Sequence, residues 1–226
     1  MPAAGTGTRM NADIPKQYLP LAGKTVLEWT LLRLLQLPAV SGITVAVRAD
    51  DHRWQELSLS SDSRIRVVTG GAERNLSVIH ALRSLPSALS ADHWVLVHDA
   101  ARPCVALADI ARLRHSLVSH PVGGILATPV SDTLKKADSQ QQITTTLDRS
   151  RVWQAQTPQL FRRGLLQECL ERAHAEQKHV TDEASAVEHY GYQPLLIEGQ
   201  RDNIKITRPE DLALAGWILQ QQEITS

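Results

Sequence analysis

The sequence predicts an α/β protein: a Rossmann-like, mostly parallel sheet flanked by helices, with a β-hairpin arm protruding from it. Three observations carry this class. Short β-branched apolar runs alternate with stretches of helical period up to residue 130, the pattern of strands joined by crossover helices. Over residues 131–150 two strand-like runs enclose a polar tip, which reads as a hairpin off the main sheet. At 226 residues the chain is long enough to bury a core as one domain.

Taken in order, residues 25–37 place Val26, Leu27, Leu31, Leu34 and Leu35 at helical spacing. Residues 42–47 (GITVAV) form a short buried-strand run, 51–59 a short helix, and 64–69 (RIRVVT) a strand. Gly70 and Gly71 break the chain before a helix over 75–85. A strand at 93–98 (HWVLVH) leads through Asp99 to a helix at 107–118, and 124–130 closes the series as a strand. The runs 132–137 and 143–147 make the arm around the tip 138–142. Because an isolated two-stranded hairpin is marginally stable in water, a partner surface is expected for it. Helices follow at 162–177 and 182–190, with Gly191 suited to ending the second. Strands are expected at 192–197 and 203–206. The last helix has Thr207 as its cap, Pro209 in its first turn and Glu210 three residues after the cap.

Composition narrows the function. Lys plus Arg and Asp plus Glu both number 24, giving zero formal charge, which argues against nucleic-acid binding by bulk electrostatics and against a polybasic membrane surface. No apolar run approaches ~18 residues, and the N-terminus lacks a charged-then-apolar signal; the expectation is a cytoplasmic protein without nucleic-acid or membrane partners. Cys104 and Cys169 have no metal or redox spacing and read as ordinary buried thiols. His115 and His120 stand five apart, off the i, i+4 face a zinc pair would use.

Several segments have the residue types of a phosphate site. The loop P-A-A-G-T-G-T-R-M at residues 2–10 offers Gly5 and Gly7 for close backbone approach and Arg9 as a planar fork for phosphate oxygens. It matches neither a Walker loop nor a dinucleotide fingerprint. Lys16 follows close behind, so loop and lysine can bracket a triphosphate. Residues 70–78 (GGAERNLSV) come between a strand and a helix, a second place where backbone N–H groups meet a ligand. Asp99 lies just past a strand's carboxyl end, where open α/β sheets bind ligands, and suits Mg²⁺ or a ribose hydroxyl. Thr133, Arg149 and Lys205 are polar residues at element ends, and Lys205 inside a strand pattern is explained if it faces a cleft.

In this order, P-A-A-G-x-G-x-R-M, P-K-Q, G-G-x-x-R-x-x-S-V, H-D-A-A-R-P, T-D-E-A-S and N-I-K-I-T-x-P-E-D-L resemble the 2-C-methyl-D-erythritol 4-phosphate cytidylyltransferases, from Pro2 to about Ala215. The resemblance implies transfer of CMP from CTP to methylerythritol phosphate, with Mg²⁺, within one nucleotidyltransferase domain over 1–226. Arg9 and Lys16 would stabilise charge on the α-phosphate. Ala3, Ala4, Gly71, Ala72 and Ser77 would form the cytosine pocket beside Gly5 and Gly7 of the CTP loop, with Asp99 near ribose and metal. Thr133, Arg149 and Lys205 would hold the acceptor. The arm (131–150) would cross a homodimer interface, so that Thr133 and Arg149 serve the neighbouring site. The chain departs from the pattern twice. Leu76 stands where polar or acidic residues are usual. The apolar strand that leads into P-A-A-G in the family has no counterpart before Met1, so the sheet is expected to lack its first strand, with a misplaced start favoured over a damaged copy. The rival readings are a ribitol-5-phosphate-type cytidylyltransferase and a non-catalytic CTP-binding or dimerisation module.

Overall fold

Helix α1 (Val26–Leu35) starts at a reciprocal cap: Thr25 Oγ1 accepts from the Glu28 N–H at 3.2 Å, and Glu28 Oε2 accepts from the Thr25 N–H at 2.9 Å. The second Glu28 oxygen accepts from the Ser58 hydroxyl at 2.6 Å, which satisfies a carboxylate that is otherwise buried. The computed structural model from which this geometry comes describes residues 1–5, 10 and 14–224.

The sheet lies in two parts. Strands β3 (Ile43–Val47) and β4 (Ile65–Thr69) pair in parallel. Strands β5 (Trp94–Val97), β6 (Gly123–Pro129), β9 (Trp153–Arg162) and β10 (Leu195–Glu198) form the order β10-β6-β9-β5. Within it β9 is antiparallel to both neighbours, so β5, β6 and β10 share one direction and β9 alone opposes them. Residues 1–3 run alongside β3: Pro2 bridges Ala46 in parallel, the Ala3 N–H donates to Ala46 O at 2.8 Å and the Ala46 N–H to Met1 O at 2.9 Å. The described residues place no other strand between β3 and β5.

Helices cover both faces. One core joins Leu27, Leu31 and Leu34 of α1 to Ile110, Leu113 and Leu117 of α3 (Leu107–Leu117) over β3 and β6. A second joins α2 (Arg74–Arg83), α4 (Arg163–Ala175) and α5 (Glu183–Glu188) through Val78, Leu82, Leu166, Leu170 and Val187, over β5 and β9. The α/β class therefore holds, with helices on each side of a central sheet. Helix α6 (Pro209–Ile224) packs Ile218 and Leu219 on Val26 and on Leu21 of a small hairpin, β1 (Pro20–Leu21) with β2 (Lys24–Thr25).

Several sequence expectations need correction. Residues 51–59 make a single 3-10 turn, Arg53–Glu56, because Asp51 turns back to cap its backbone and to accept from Tyr18 Oη at 2.7 Å. Residues 203–206 are not a strand; the Ile206 N–H instead donates to Ala101 O at 2.9 Å. At the start of α6 the capping carboxylate is that of Asp211, which accepts from the N–H groups of Thr207 and Arg208 at 2.7 and 2.9 Å. The pattern reading also passed over the hairpin at 20–25 and the whole of β9. The arm is present as β7 (Leu134–Ala137) paired antiparallel to β8 (Ile143–Leu147); these strands pair only with each other, and Ile143 and Leu147 are exposed.

Candidate active site

The turns after β4 and β5, the chain around residues 1–5, and the segments bearing Lys16 and Lys205 meet at one end of the sheet. They enclose a cavity of about 180 Å³ lined by Ala3, Ala4, Gly5, Lys16, Gly71, Ala72, Ser77, Asp99 and Lys205 together with Pro2, Gln17, Glu73, Arg74, Ala100 and Ala101. Nine residues singled out in the sequence are thus brought together. Gly7 and Arg9 lie outside the described residues. Thr133 and Arg149 are exposed on or beside the arm and do not line this cavity; the Arg149 guanidinium donates to the carbonyl of Ser131.

Small residues are needed where loops close on each other. A Cβ on Gly70 would come within 2.7 Å of Ala4 Cβ and 2.9 Å of Ser77 Oγ, closer than side chains tolerate. Ser77 ties the turn to the helix: its Oγ accepts from the Gly71 N–H at 3.1 Å and donates to Glu73 O at 3.1 Å. Below it, Gln17 Nε2 donates to Ala3 O at 2.7 Å, fixing the nucleotide loop to the chain that bears Lys16. Lys16 Nζ donates to Ile206 O at 2.9 Å, next to Lys205. Leu76 turns away from the pocket and packs against the second core, so this departure leaves the pocket backbone intact.

Asp99 is the electrostatic centre. Its Oδ2 is 2.7 Å from Lys205 Nζ, and its Oδ1 accepts from Arg74 Nη2 at 2.9 Å and Nε at 3.1 Å. Arg74 reaches past it to Glu183, a fully buried carboxylate, at 2.7 and 3.0 Å. Burial alone would raise the Asp99 carboxyl, but Arg74, then Lys205 and Arg102, hold it far below the usual carboxylate range. Burial would likewise lower Arg74, and Glu183 with Asp99 reverse that and hold it firmly charged. Behind the carboxylate, the Asp99 N–H donates to Thr157 Oγ1 at 3.0 Å, and Thr157 Oγ1 lies 2.9 Å from His98 Nδ1. His98 Nε2 lies 3.0 Å from Arg102 O, a pure acceptor, so Nε2 carries the proton and the Thr157 hydroxyl donates to Nδ1. Burial pushes the His98 imidazole down to about 4, which keeps this relay neutral and orients the Asp99 backbone.

Arg74 and Glu183 were missed as site residues. Both lie inside motifs legible in the sequence (GGAERNLSV and TDEAS), but nothing in either motif shows that they meet. As for a metal, among the described residues no three His, Cys, Asp or Glu side chains converge. Asp99 offers one carboxylate, which fits Mg²⁺ held through a single protein carboxylate plus substrate phosphate oxygens rather than in a protein-only cage.

A Gly- and Ala-lined slot at the carboxyl ends of parallel strands, with two lysines and a buried aspartate in its lining and a helix N-terminus beside it, is a nucleotide-phosphate site of the α/β class, and the family match makes the protein a nucleotidyltransferase. The chain belongs to the 2-C-methyl-D-erythritol 4-phosphate cytidylyltransferase family, whose sequence profile matches residues 1–221. Curated relatives of that name include those of Tolumonas auensis, 48% identical over 99% of this chain and 96% of the relative, and Vibrio vulnificus, 51% identical over 99% and 94%. Among solved structures, the Francisella tularensis cytidylyltransferase superposes with a TM-score of 0.84 at 39% identity, covering 96% of each chain. That of Thermus thermophilus gives 0.78 at 31%, again with 96% coverage of each.

Proposed function

We infer that the protein transfers CMP from CTP to 2-C-methyl-D-erythritol 4-phosphate, releasing pyrophosphate and forming 4-diphosphocytidyl-2-C-methyl-D-erythritol for isoprenoid precursors. The observation that carries this reading is the gathering of Ala3–Gly5, Lys16, Gly71, Ala72, Ser77, Asp99 and Lys205 around one cavity, in a chain of this family. The acceptor phosphate, with its second pKa at about 6, is already an anion at neutral pH. Its oxygen attacks the α-phosphorus of CTP, the bond to the bridging oxygen breaks, and pyrophosphate leaves with that electron pair. No activated serine or histidine is required; the task is to hold two polyanions together and to stabilise the charge that builds on the α-phosphate.

In this reading Lys16, with Arg9, faces the α-phosphate. The backbone at Gly71 and Ala72 and the Ser77 turn receive the cytosine, the loop with Gly5 and Gly7 follows the phosphates, and Asp99 takes the ribose. Asp99 would also hold Mg²⁺, which when bound neutralises triphosphate charge. Lys205, now paired with Asp99, turns to the acceptor phosphate as substrate enters. Thr133 and Arg149 lie on the arm away from their own pocket, so we read residues 131–150 as crossing a homodimer interface to complete the neighbouring site, with residues 1–226 as one nucleotidyltransferase domain. The exposed Ile143 and Leu147 support an arm that is covered in the assembly. Among the described residues no helix is long and apolar enough to cross a membrane, in keeping with a cytoplasmic enzyme. The test is CTP-dependent pyrophosphate release with methylerythritol phosphate and ribitol 5-phosphate offered side by side. Release confined to methylerythritol phosphate is expected; preference for ribitol 5-phosphate would reassign the acceptor, and CTP binding without any release would make this a binding module.

A further inference from the structure

Glu183 is a buried charge beside the catalytic cavity that the proposed reaction does not use. It does not line the cavity, and its side chain is fully buried. Its place is fixed from both sides, because the residues flanking it bind the amide of Gln159 on β9. Asp182 Oδ2 accepts from Gln159 Nε2 at 2.8 Å, and the Ala184 N–H donates to Gln159 Oε1 at 2.9 Å. From there Glu183 meets Arg74 with both oxygens, at 2.7 and 3.0 Å. Arg74, by contrast, does line the cavity, and its Nη2 and Nε also reach Asp99 Oδ1, at 2.9 and 3.1 Å. One guanidinium thus lies between two carboxylates, one in the cavity wall and one hidden behind it. The charges around Asp99 give the hidden one a use. Lys205 Nζ is 2.7 Å and Arg102 Nε 3.9 Å from Asp99 Oδ2, so among the described residues Arg74, Lys205 and Arg102 all face this one carboxylate. Charges act on each other more strongly in a buried setting than in water. Without Glu183 the whole Arg74 charge would bear on Asp99 and on any cation brought to it.

We propose that Glu183 is a positioning residue for the divalent cation: acting through Arg74, it offsets the guanidinium charge so that Asp99 can exchange Lys205 for a cation that arrives with CTP. Arg74 keeps Oδ1 occupied, which leaves Oδ2, now held by Lys205, as the oxygen exchanged. Glu183 itself touches neither nucleotide nor cation. This role rests on the reading of Asp99 as the carboxylate that takes Mg²⁺.

Calorimetric titration with CTP, in EDTA and in saturating Mg²⁺ and without acceptor, tests this. The ratio of the two dissociation constants is the gain in affinity that the cation brings. Glu183→Gln keeps the side chain's size and leaves Arg74 paired with Asp99, so it is expected to fold. It should cut the gain roughly tenfold, while CTP in EDTA binds as tightly as before or more tightly, because the site has become more positive. A residue that only held the fold together would weaken both. Arg74→Gln/Glu183→Gln leaves neither buried charge without its partner, and should keep the gain at or above that of the unaltered chain. Asp99→Asn should lose it. An undiminished gain in Glu183→Gln, an equal weakening with and without Mg²⁺, or a loss of the gain in the double variant would each overturn the role of Glu183 and leave Asp99 as the cation's carboxylate. No gain in the unaltered chain, or a full gain in Asp99→Asn, would overturn the reading of Asp99 and the role of Glu183 with it.

Discussion

Arg74 binds two carboxylates at once, and its removal separates structure from chemistry at a single position. Arg74→Gln leaves Glu183, which is fully buried, without its counter-charge. Stripping one partner from a buried ion pair costs about 3–5 kcal/mol, and urea unfolding should register a loss of that size. A loss below about 1 kcal/mol would show that the Glu183 charge is otherwise satisfied. His98 gives a pH signature. Burial, the main cause, lowers its imidazole from 6.5 to about 4 in the folded chain. Between those values the unfolded chain binds more protons, so stability is full above about 6.5 and falls as pH drops towards 4. Unfolding measured over that window should show a loss on the order of 2–3 kcal/mol from this group, and His98→Asn should flatten the slope. An identical slope in the variant would remove His98 as its source. At this scale the sequence was informative where a residue type has one chemical use: Lys16, Asp99 and Lys205 stood out as charges at element ends. It was silent where the role depends on a distant partner, as with Arg74, whose partner Glu183 is 109 residues away.

Among the elements, strand β9 shows where the pattern reading fails. Its segment W-Q-A-Q-T-P-Q-L-F-R has glutamines and a proline where an interior strand should be apolar. Gln156, Thr157 and Gln159 are nonetheless buried, because each side chain has a specific partner: Gln156 Nε2 donates to Gln200 O at 3.0 Å, Thr157 Oγ1 accepts from the Asp99 N–H at 3.0 Å, and Gln159 Nε2 donates to Asp182 Oδ2 at 2.8 Å. Those partners lie far along the chain, so periodicity could not show them. By contrast, α1 was legible from its apolar spacing, and the T-x-x-E box at Thr25 and Glu28 fixes its start. The arm was legible as a hairpin, while its use was not. If it crosses to a second subunit, Lys16→Ala and Arg149→Ala chains should each be inactive, and mixing them should restore roughly a quarter of normal turnover, because mixed dimers contain one intact site. Mixtures as inactive as their parents would place Arg149 in its own subunit's site or in none. In the catalytic slot, Gly70→Ala should push Ala4 and Ser77 apart and raise the KM for CTP with little change in folding; an unchanged KM would show that the loops yield elsewhere.

For the whole molecule, alternating strands and helices gave the α/β class directly, since crossover connections demand that order. The antiparallel insertion of β9 between β5 and β6 emerged only with the packed sheet. The proposed function rests on Lys16 and Lys205 lining one cavity with a row of small residues. The most direct measurement is pyrophosphate release from CTP, with and without 2-C-methyl-D-erythritol 4-phosphate, by the unaltered chain and by Lys16→Ala. The account predicts release only when both substrates are present, and a fall on the order of a hundredfold or more in Lys16→Ala, roughly 3 kcal/mol of lost charge stabilisation, with an unchanged melting midpoint. Acceptor-independent release, or near-normal turnover by Lys16→Ala, would contradict it.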